Sequence, residues 1–297
     1  MRTPRELKAL YERGQNITQL LREDYGVQEN TREIIEIAYD LQSGSYIAAL
    51  ENSDMAEHKA EYSQQIAKTI LSLCTPTSVL EAGVGEGTTL SGVLRSLDPN
   101  ISSYGFDLSW SRAFCAQRWL EANDLDRARL CTGDLMNIPY ADNAFDVVYT
   151  SHSIEPNGGM ELPILQELHR VTKKYLILLE PAYEFASRKA QIRMDTHGYC
   201  KKLREVAESL NYSVLSHEPF PLSANPLNPT AITIIEKQPS EAKLSSVYAC
   251  PKLRCALREF GNVFYSPDAL LVYPIIEGIP CLRIENGILA SKFDDLV

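Results

Sequence analysis

No stretch of this chain is apolar for long enough to cross a bilayer. Its opening residues, Met1-Arg2-Thr3-Pro4-Arg5-Glu6, lack the apolar core of a signal peptide. Positive charge is scarce: 29 Lys and Arg face 39 Asp and Glu, for a net charge of −10. Free-standing nucleic-acid binders carry a basic footprint, so this balance counts against RNA or DNA as substrate, while leaving room for a local basic patch. The seven cysteines are odd in number and scattered, which predicts reduced thiols and a cytoplasmic protein rather than a disulfide framework. Several catalytic signatures are missing. There is no Gly-x-x-x-x-Gly-Lys-Ser/Thr phosphate loop, no His-Glu-x-x-His helix and no Gly-x-Ser-x-Gly elbow. No acidic triad for a divalent metal stands out, and there is no internal repeat or low-complexity tract.

What the chain does have is 297 residues, 44% of them hydrophobic, enough for one large domain and a small one. The informative run is Ser78-Val79-Leu80-Glu81-Ala82-Gly83-Val84-Gly85-Glu86-Gly87-Thr88-Thr89. An apolar strand ends on an acid, glycines alternate with other residues, and a helix-like segment follows. Glycines permit positive φ and a close backbone approach to a ligand, and the next helix offers unpaired N–H groups. The spacing is Gly-x-Gly-x-Gly, not the Gly-x-Gly-x-x-Gly of dinucleotide folds. Three further segments follow in order: Ser103-Tyr104-Gly105-Phe106-Asp107-Leu108, Leu130-Cys131-Thr132-Gly133-Asp134-Leu135-Met136 and Asn143-Ala144-Phe145-Asp146-Val147-Val148-Tyr149-Thr150. Asp107 lies about 20 residues beyond the glycines, the offset of a ribose-binding acid, and a carboxylate can accept two hydrogen bonds from a vicinal diol.

Together these segments resemble the class I S-adenosylmethionine (SAM)-dependent methyltransferases over roughly residues 60–237. The resemblance implies SAM as cofactor, held by Glu81, Gly83, Gly85, Gly87, Asp107, Leu108, Asp134, Leu135 and Thr150, with Asp134 and Leu135 at the adenine. It also implies a Rossmann-like α/β fold with a seven-stranded sheet. Strands are expected near 77–82, 101–107, 128–132, 145–150, 175–180, 213–217 and 231–236, with helices between the first six. Leu162, Leu165, Leu168 and Val171 mark one such helix. The connector before the last strand holds Pro219, Pro221, Pro226 and Pro229, which suits an antiparallel hairpin instead.

Residues 1–75 read as a helical N-terminal cap, from which Tyr39, Tyr46 or Tyr62 either covers the cofactor or is an ordinary core or surface residue. Residues 76–238 are the core, and a boundary is expected at Gln238-Pro239-Ser240-Glu241. Residues 242–297 form a small β-rich domain. Its runs Val247–Leu257 and Leu271–Pro280 resemble the zinc-ribbon-like activator subunits of tRNA and protein methyltransferases. The zinc pattern is degenerate: Cys250 and Cys255 have four residues between them, no cysteine lies near Phe264-Tyr265-Ser266, and Cys281 is alone, so no metal is expected. Exposed strand edges in such a domain make a homo-oligomer conceivable.

Methyl transfer depends chiefly on positioning, and a neutral acceptor benefits from a base. Acceptors bind beyond the carboxyl ends of strands four and five. There His152 is the candidate base, with packing by the cofactor or a backbone hydrogen bond as its other reading. Glu155 is either an acceptor ligand or a solvated loop acid. Glu180 and Tyr183 are expected at the pocket mouth, with Glu180 alternatively a structural acid paired to Arg193. Asp195 or Thr196 is expected to cap the next helix, which leaves His197 and Tyr199 as alternative substrate contacts. The Asn-Pro-Pro-Tyr tetrapeptide of enzymes acting on exocyclic or amide nitrogens is replaced by Ser151-His152-Ser153-Ile154. The favoured expectation is methyl transfer to a small molecule such as a sugar, an amino-acid derivative or a biosynthetic intermediate, with no membrane or nucleic-acid partner. A tRNA or protein methyltransferase, and a SAM-binding scaffold without turnover, are the alternatives.

Overall fold

Each helix at the N-terminus starts where a side chain can accept from the free N–H groups of its first turn. Thr3 and Glu6 form a capping box for α1 (Pro4–Tyr11), Asn16 caps α2 (Ile17–Tyr25) and Thr31 caps α3 (Arg32–Leu41). A short α4 (Ser45–Ala49) leads to the long α5 (Ser53–Leu73), capped by Asn52. Leu7, Ile17, Leu21, Ile34 and Ala38 close a core of their own beneath α1–α3. The computed structural model describes residues 2–223, 225–238 and 246–296. Apart from Gln238, the expected boundary segment lies outside the described residues.

The central sheet is built from β1 (Ser78–Ala82), β2 (Ser102–Asp107), β3 (Arg129–Thr132), β4 (Phe145–Ser151), β5 (Thr172–Pro181), β6 (Ser213–Pro219) and β7 (Thr230–Glu236). Its order is β3-β2-β1-β4-β5-β7-β6. The first five strands are parallel and β7 runs antiparallel to both neighbours. A strand sends alternate side chains to opposite faces. Val79, Val147, Tyr149 and Ile177 therefore enter one core with α5 and α6 (Thr88–Ser96), and Leu80, Val148, Leu176 and Leu178 enter the other with α8 (Glu161–Val171). The chain reverses direction across the sheet between β1 and β4, and ligands of such sheets bind at that switch point. As the prolines suggest, the described residues of the β6–β7 connector hold no helix.

Two expectations are corrected. The 12 residues between β3 and β4 contain no helix. Instead, the C-terminal segment covers this connection: Ala141 N donates to Val247 O, Ala249 N donates to Pro139 O, and Tyr248 stacks on Tyr140. The segment around Asp195 and Thr196 does not start a helix but ends one. α9 (Arg188–His197) is capped by Ser187 and stops at Gly198, whose φ of 67° breaks the helical hydrogen-bond pattern. α7 (Trp110–Ala122) follows β2, and α10 (Leu203–Ser209) precedes β6.

The C-terminal module is a small antiparallel sheet of β8 (Arg258–Phe260), β9 (Val263–Ser266), β10 (Leu271–Ile276), β11 (Ile279–Pro280) and β12 (Ile288–Leu289), then α11 (Phe293–Leu296). Glu277 and Gly278 turn the β10–β11 hairpin with positive φ at both residues, the signature of a tight twisted turn. Cys281 makes a parallel bridge to Thr132 at the edge of the central sheet. All seven cysteines are free thiols. Cys250 meets the Tyr273 hydroxyl at 3.4 Å and Cys255 meets Ser266 Oγ at 3.2 Å. Among the described residues, no three His, Cys, Asp or Glu gather to hold a metal, and no helix is long and apolar enough to cross a membrane.

Candidate active site

The glycine turn leaves β1 with φ of 78°, 54° and 73° at Gly83, Gly85 and Gly87. The three serve different purposes. A Cβ on Gly83 would fall 2.1 Å from Ser153 Cβ, and one on Gly87 would press on Ala116 of α7. Gly85 has only the Arg112 guanidinium nearby, at 3.6 Å, and faces open space. Asp107, at the end of β2, accepts from Gly85 N and Ser109 N, both at 2.9 Å, and so fixes the turn. Burial raises its pKa despite Arg112 and these donors. Glu81 is fully enclosed. It accepts from the Tyr149 hydroxyl at 3.0 Å, and burial pushes its pKa up to about 8.

The helical segment forms the facing wall. Tyr39, Tyr46 and Tyr62 all line the cavity. Arg112 lies 4.8 and 4.9 Å from the ring centroids of Tyr39 and Tyr46, within cation–π range. Glu86 Oε2 accepts from Ile47 N at 2.8 Å, and Asp40 accepts from the hydroxyls of Ser109 and Ser111. The helices are thus fastened to the loops after β1 and β2. Lys59 reaches in from α5 and donates to Thr89 Oγ1 at 3.1 Å. Beyond β3, Asp134 and Leu135 line the far end, where Asp134 accepts from Arg32 Nη1 at 3.0 Å and from Met136 N.

At the other end lies the loop after β4. His152 adopts φ 56°. Its Nδ1 is 2.6 Å from Glu155 Oε2 and its Nε2 is 2.9 Å from Thr230 Oγ1. An ionised carboxylate only accepts, so Nδ1 carries a proton, and in the neutral imidazole Nε2 accepts from Thr230. Burial disfavours the imidazolium, but the hydrogen bond and charge of Glu155 outweigh it and raise the His152 pKa. Burial likewise pushes Glu155 up, and His152 more than reverses that. Asn228 donates to the same Glu155 oxygen at 3.0 Å.

Of the residues expected at the site, Glu81, Gly83, Gly85, Asp107, Leu108, Asp134, Leu135, His152 and Glu155 line one cavity of about 370 Å³. Gly87, Thr150 and Glu180 do not. Gly87 serves helix packing, and Thr150 lies wholly buried in β4. Glu180 is no mouth residue and does not pair with Arg193. Its two oxygens accept from Ser153 N, Ile154 N and Glu155 N, so it shapes the His152 loop from below, and burial pushes its pKa to about 7. Tyr183 lies away from the cavity and donates to Asp195. His197 is outside it too, and Tyr199 lines a separate cleft beside α2 and α9. Sequence reading missed Arg32, Lys59, Arg112, Asn228 and Thr230. Arg112 alone carries a local cue, five residues after Asp107 in the first turn of α7.

Residues 79–175 match a family described as methyltransferase domain. That match spans about a third of the chain. The demethylmenaquinone methyltransferase of Geobacillus stearothermophilus is 28% identical over 94 residues, 32% of this chain and 40% of that protein. The norajmaline N-methyltransferase of Rauvolfia serpentina is 29% identical over 177 residues, 58% of this chain and 56% of that one. The chain therefore spans only about half the length of the curated relatives it matches. Magnesium protoporphyrin IX methyltransferase from Synechocystis PCC 6803, solved with bound SAH, superposes with a TM-score of 0.54 at 12% identity. That match covers 70% of this chain and 100% of that one, and shows a shared fold. The glycine turn, Asp107 and the Asp134-Leu135 pair all fall within the methyltransferase domain; Tyr62 and Thr230 lie outside the matched residues.

Proposed function

We propose that the protein transfers the methyl group of SAM to a small-molecule acceptor held against His152. The observation that carries this reading is the placement of the His152–Glu155 pair in the same cavity as the glycine turn and Asp107. The cavity wall suits the charges of the cofactor. Arg112 Nη2 and Glu86 Oε1 are buried without a protein partner, and Lys59 and Glu81 supply one more cation and one more acid. Arg112 and Lys59 would hold the carboxylate, Glu81 and Glu86 the ammonium group, and Asp107 the ribose diol. Bound there, SAM supplies an electrophilic methyl group on a sulfonium.

The chain's own residues orient the acceptor and remove its proton. Glu155 keeps the proton of His152 on Nδ1, which leaves the Nε2 lone pair to take a proton from an acceptor hydroxyl or amine. The Thr230 hydroxyl occupies the hydrogen-bonding place at Nε2 that such a group would take. The cavity volume is in the range of small-ligand sites rather than of macromolecular grooves.

The test is transfer of a radiolabelled methyl group from SAM into fractionated cell extract, with Asp107→Ala as control. Label in the small-metabolite fraction supports the reading. Label only in RNase- or protease-sensitive material overturns the acceptor class, and SAM binding without any turnover overturns the activity.

A further inference from the structure

Among the described residues, none of the C-terminal module lines the cavity, yet the module holds residues that do. Its Arg283 is buried among polar partners from three segments. Nη1 donates to Leu108 O at 3.1 Å, on the loop after β2. The guanidinium also grips both carboxylate oxygens of Glu36 on α3, with Nη2 2.7 Å from Oε2, a two-pronged pairing that fixes direction as well as distance. Nε donates to Glu285 Oε1 at 2.8 Å. Glu285 stands 3.6 Å from Arg32, which pairs with Asp134 at 3.0 Å. One chain of alternating charge thus runs Glu36–Arg283–Glu285–Arg32–Asp134. Arg32, Glu36, Leu108 and Asp134 all line the cavity. The backbone sets this register: Cys281 bridges Thr132, two residues before Arg283 and two before Asp134 respectively.

We propose that Arg283 is a positioning residue for the cofactor, through which the C-terminal module locks α3 and the loops after β2 and β3 around one end of the cavity. The module is then neither a substrate-recruiting arm nor an idle appendage, but part of the pocket's frame. This inference rests on the reading of the cavity as a SAM site.

The experiment measures SAH binding to the full chain by calorimetry, beside steady-state kinetics. Arg283→Met is expected to weaken SAH binding about tenfold, as for a coupling between separate elements. KM for SAM rises by more than kcat falls, and Arg283→Lys, which keeps the charge but not the two-pronged grip, falls between. Glu36→Gln shifts the affinity in the same direction, and the double variant loses less than the sum of the two. A purely structural Arg283 would lower the melting temperature while folded protein bound SAH as wild type does, and that result overturns the proposal. Should Arg283→Met fail to fold, an unchanged SAH affinity in Glu36→Gln overturns it equally. Failure of wild-type protein to bind SAH would instead sink the reading of the cavity itself.

Discussion

The two ends of the cavity are built differently. At the cofactor end the key acid, Asp107, is held by backbone N–H groups, and one wall comes from the stretch between Glu81 and Leu135, facing the N-terminal helices. At the acceptor end, the His152 ring is held by side chains, Glu155 and Thr230, with Asn228 behind them and Tyr62 coming from a distant helix. A backbone-held group keeps its place whatever side chains surround it. One held by side chains can be re-aimed by a single substitution. On the proposed reading, a constant ligand would sit at the backbone-held end and a variable one at the end that is open to adjustment.

Substitutions at each end should therefore fail in different ways. His152→Ala is expected to lower kcat by about 10²–10⁴, as for loss of a general base, with SAH affinity kept. The His152 pKa is raised, so wild-type kcat climbs with pH above the ordinary imidazole range, and this limb should vanish in the variant. A retained limb would assign the base elsewhere. Asp107→Ala is expected to weaken SAH binding by about 100-fold, the worth of one or two charged hydrogen bonds. Comparable binding in a calorimetric titration would detach the ribose from this acid.

Glu81 sharpens the contrast through pH. Its pKa is raised to about 8, so in the free protein below that pH it is largely protonated, while the unfolded chain ionises near 4.5. The contribution of this group to stability is full below pH 4.5 and is lost as pH rises through 8. A cationic ligand favours the ionised form, so SAM binding should release a proton and tighten by about tenfold per pH unit until pH 8. Titration in buffers of different ionisation enthalpy reads that proton, and Glu81→Gln should abolish it. Thr230→Val should do least, lowering kcat by about threefold to tenfold, the worth of one neutral hydrogen bond. A loss as large as that of His152→Ala would make Thr230 a participant in proton transfer.

This asymmetry also explains what could be read from the sequence. The glycine turn, Asp107 and Asp134 lie within one βαβαβ run, where strand positions follow apolar runs. Even so, a Cβ on Gly83 or Gly87 would press on Ser153 or Ala116, and Gly87 does not line the cavity at all. The motif encodes packing as much as binding. The acceptor end has no such run: Thr230 lies 78 residues from His152, and nothing local in the connector marks Asn228. The missing helix after β3 was illegible for a similar reason, since its place is taken by Val247–Ala249, more than 100 residues on. Glu180 sat at the expected strand end but turned inward to three N–H groups, a backbone demand no side-chain pattern reports.

The bridge from Cys281 to Thr132 has a consequence for how the molecule meets its own copies. A sheet rim with free N–H and C=O groups is a template for another chain. At the last residue of β3, Thr132, the protein's own tail bridges the rim through Cys281. At the β6 rim the pairing with β7 slips between Val214 and Ser216 and the strand ends on Pro219, both of which discourage an added strand. The tail's β8 edge is three residues long. The β12 edge differs: its Ile288 and Leu289 are exposed, so of the strand edges described here it offers the most apolar one.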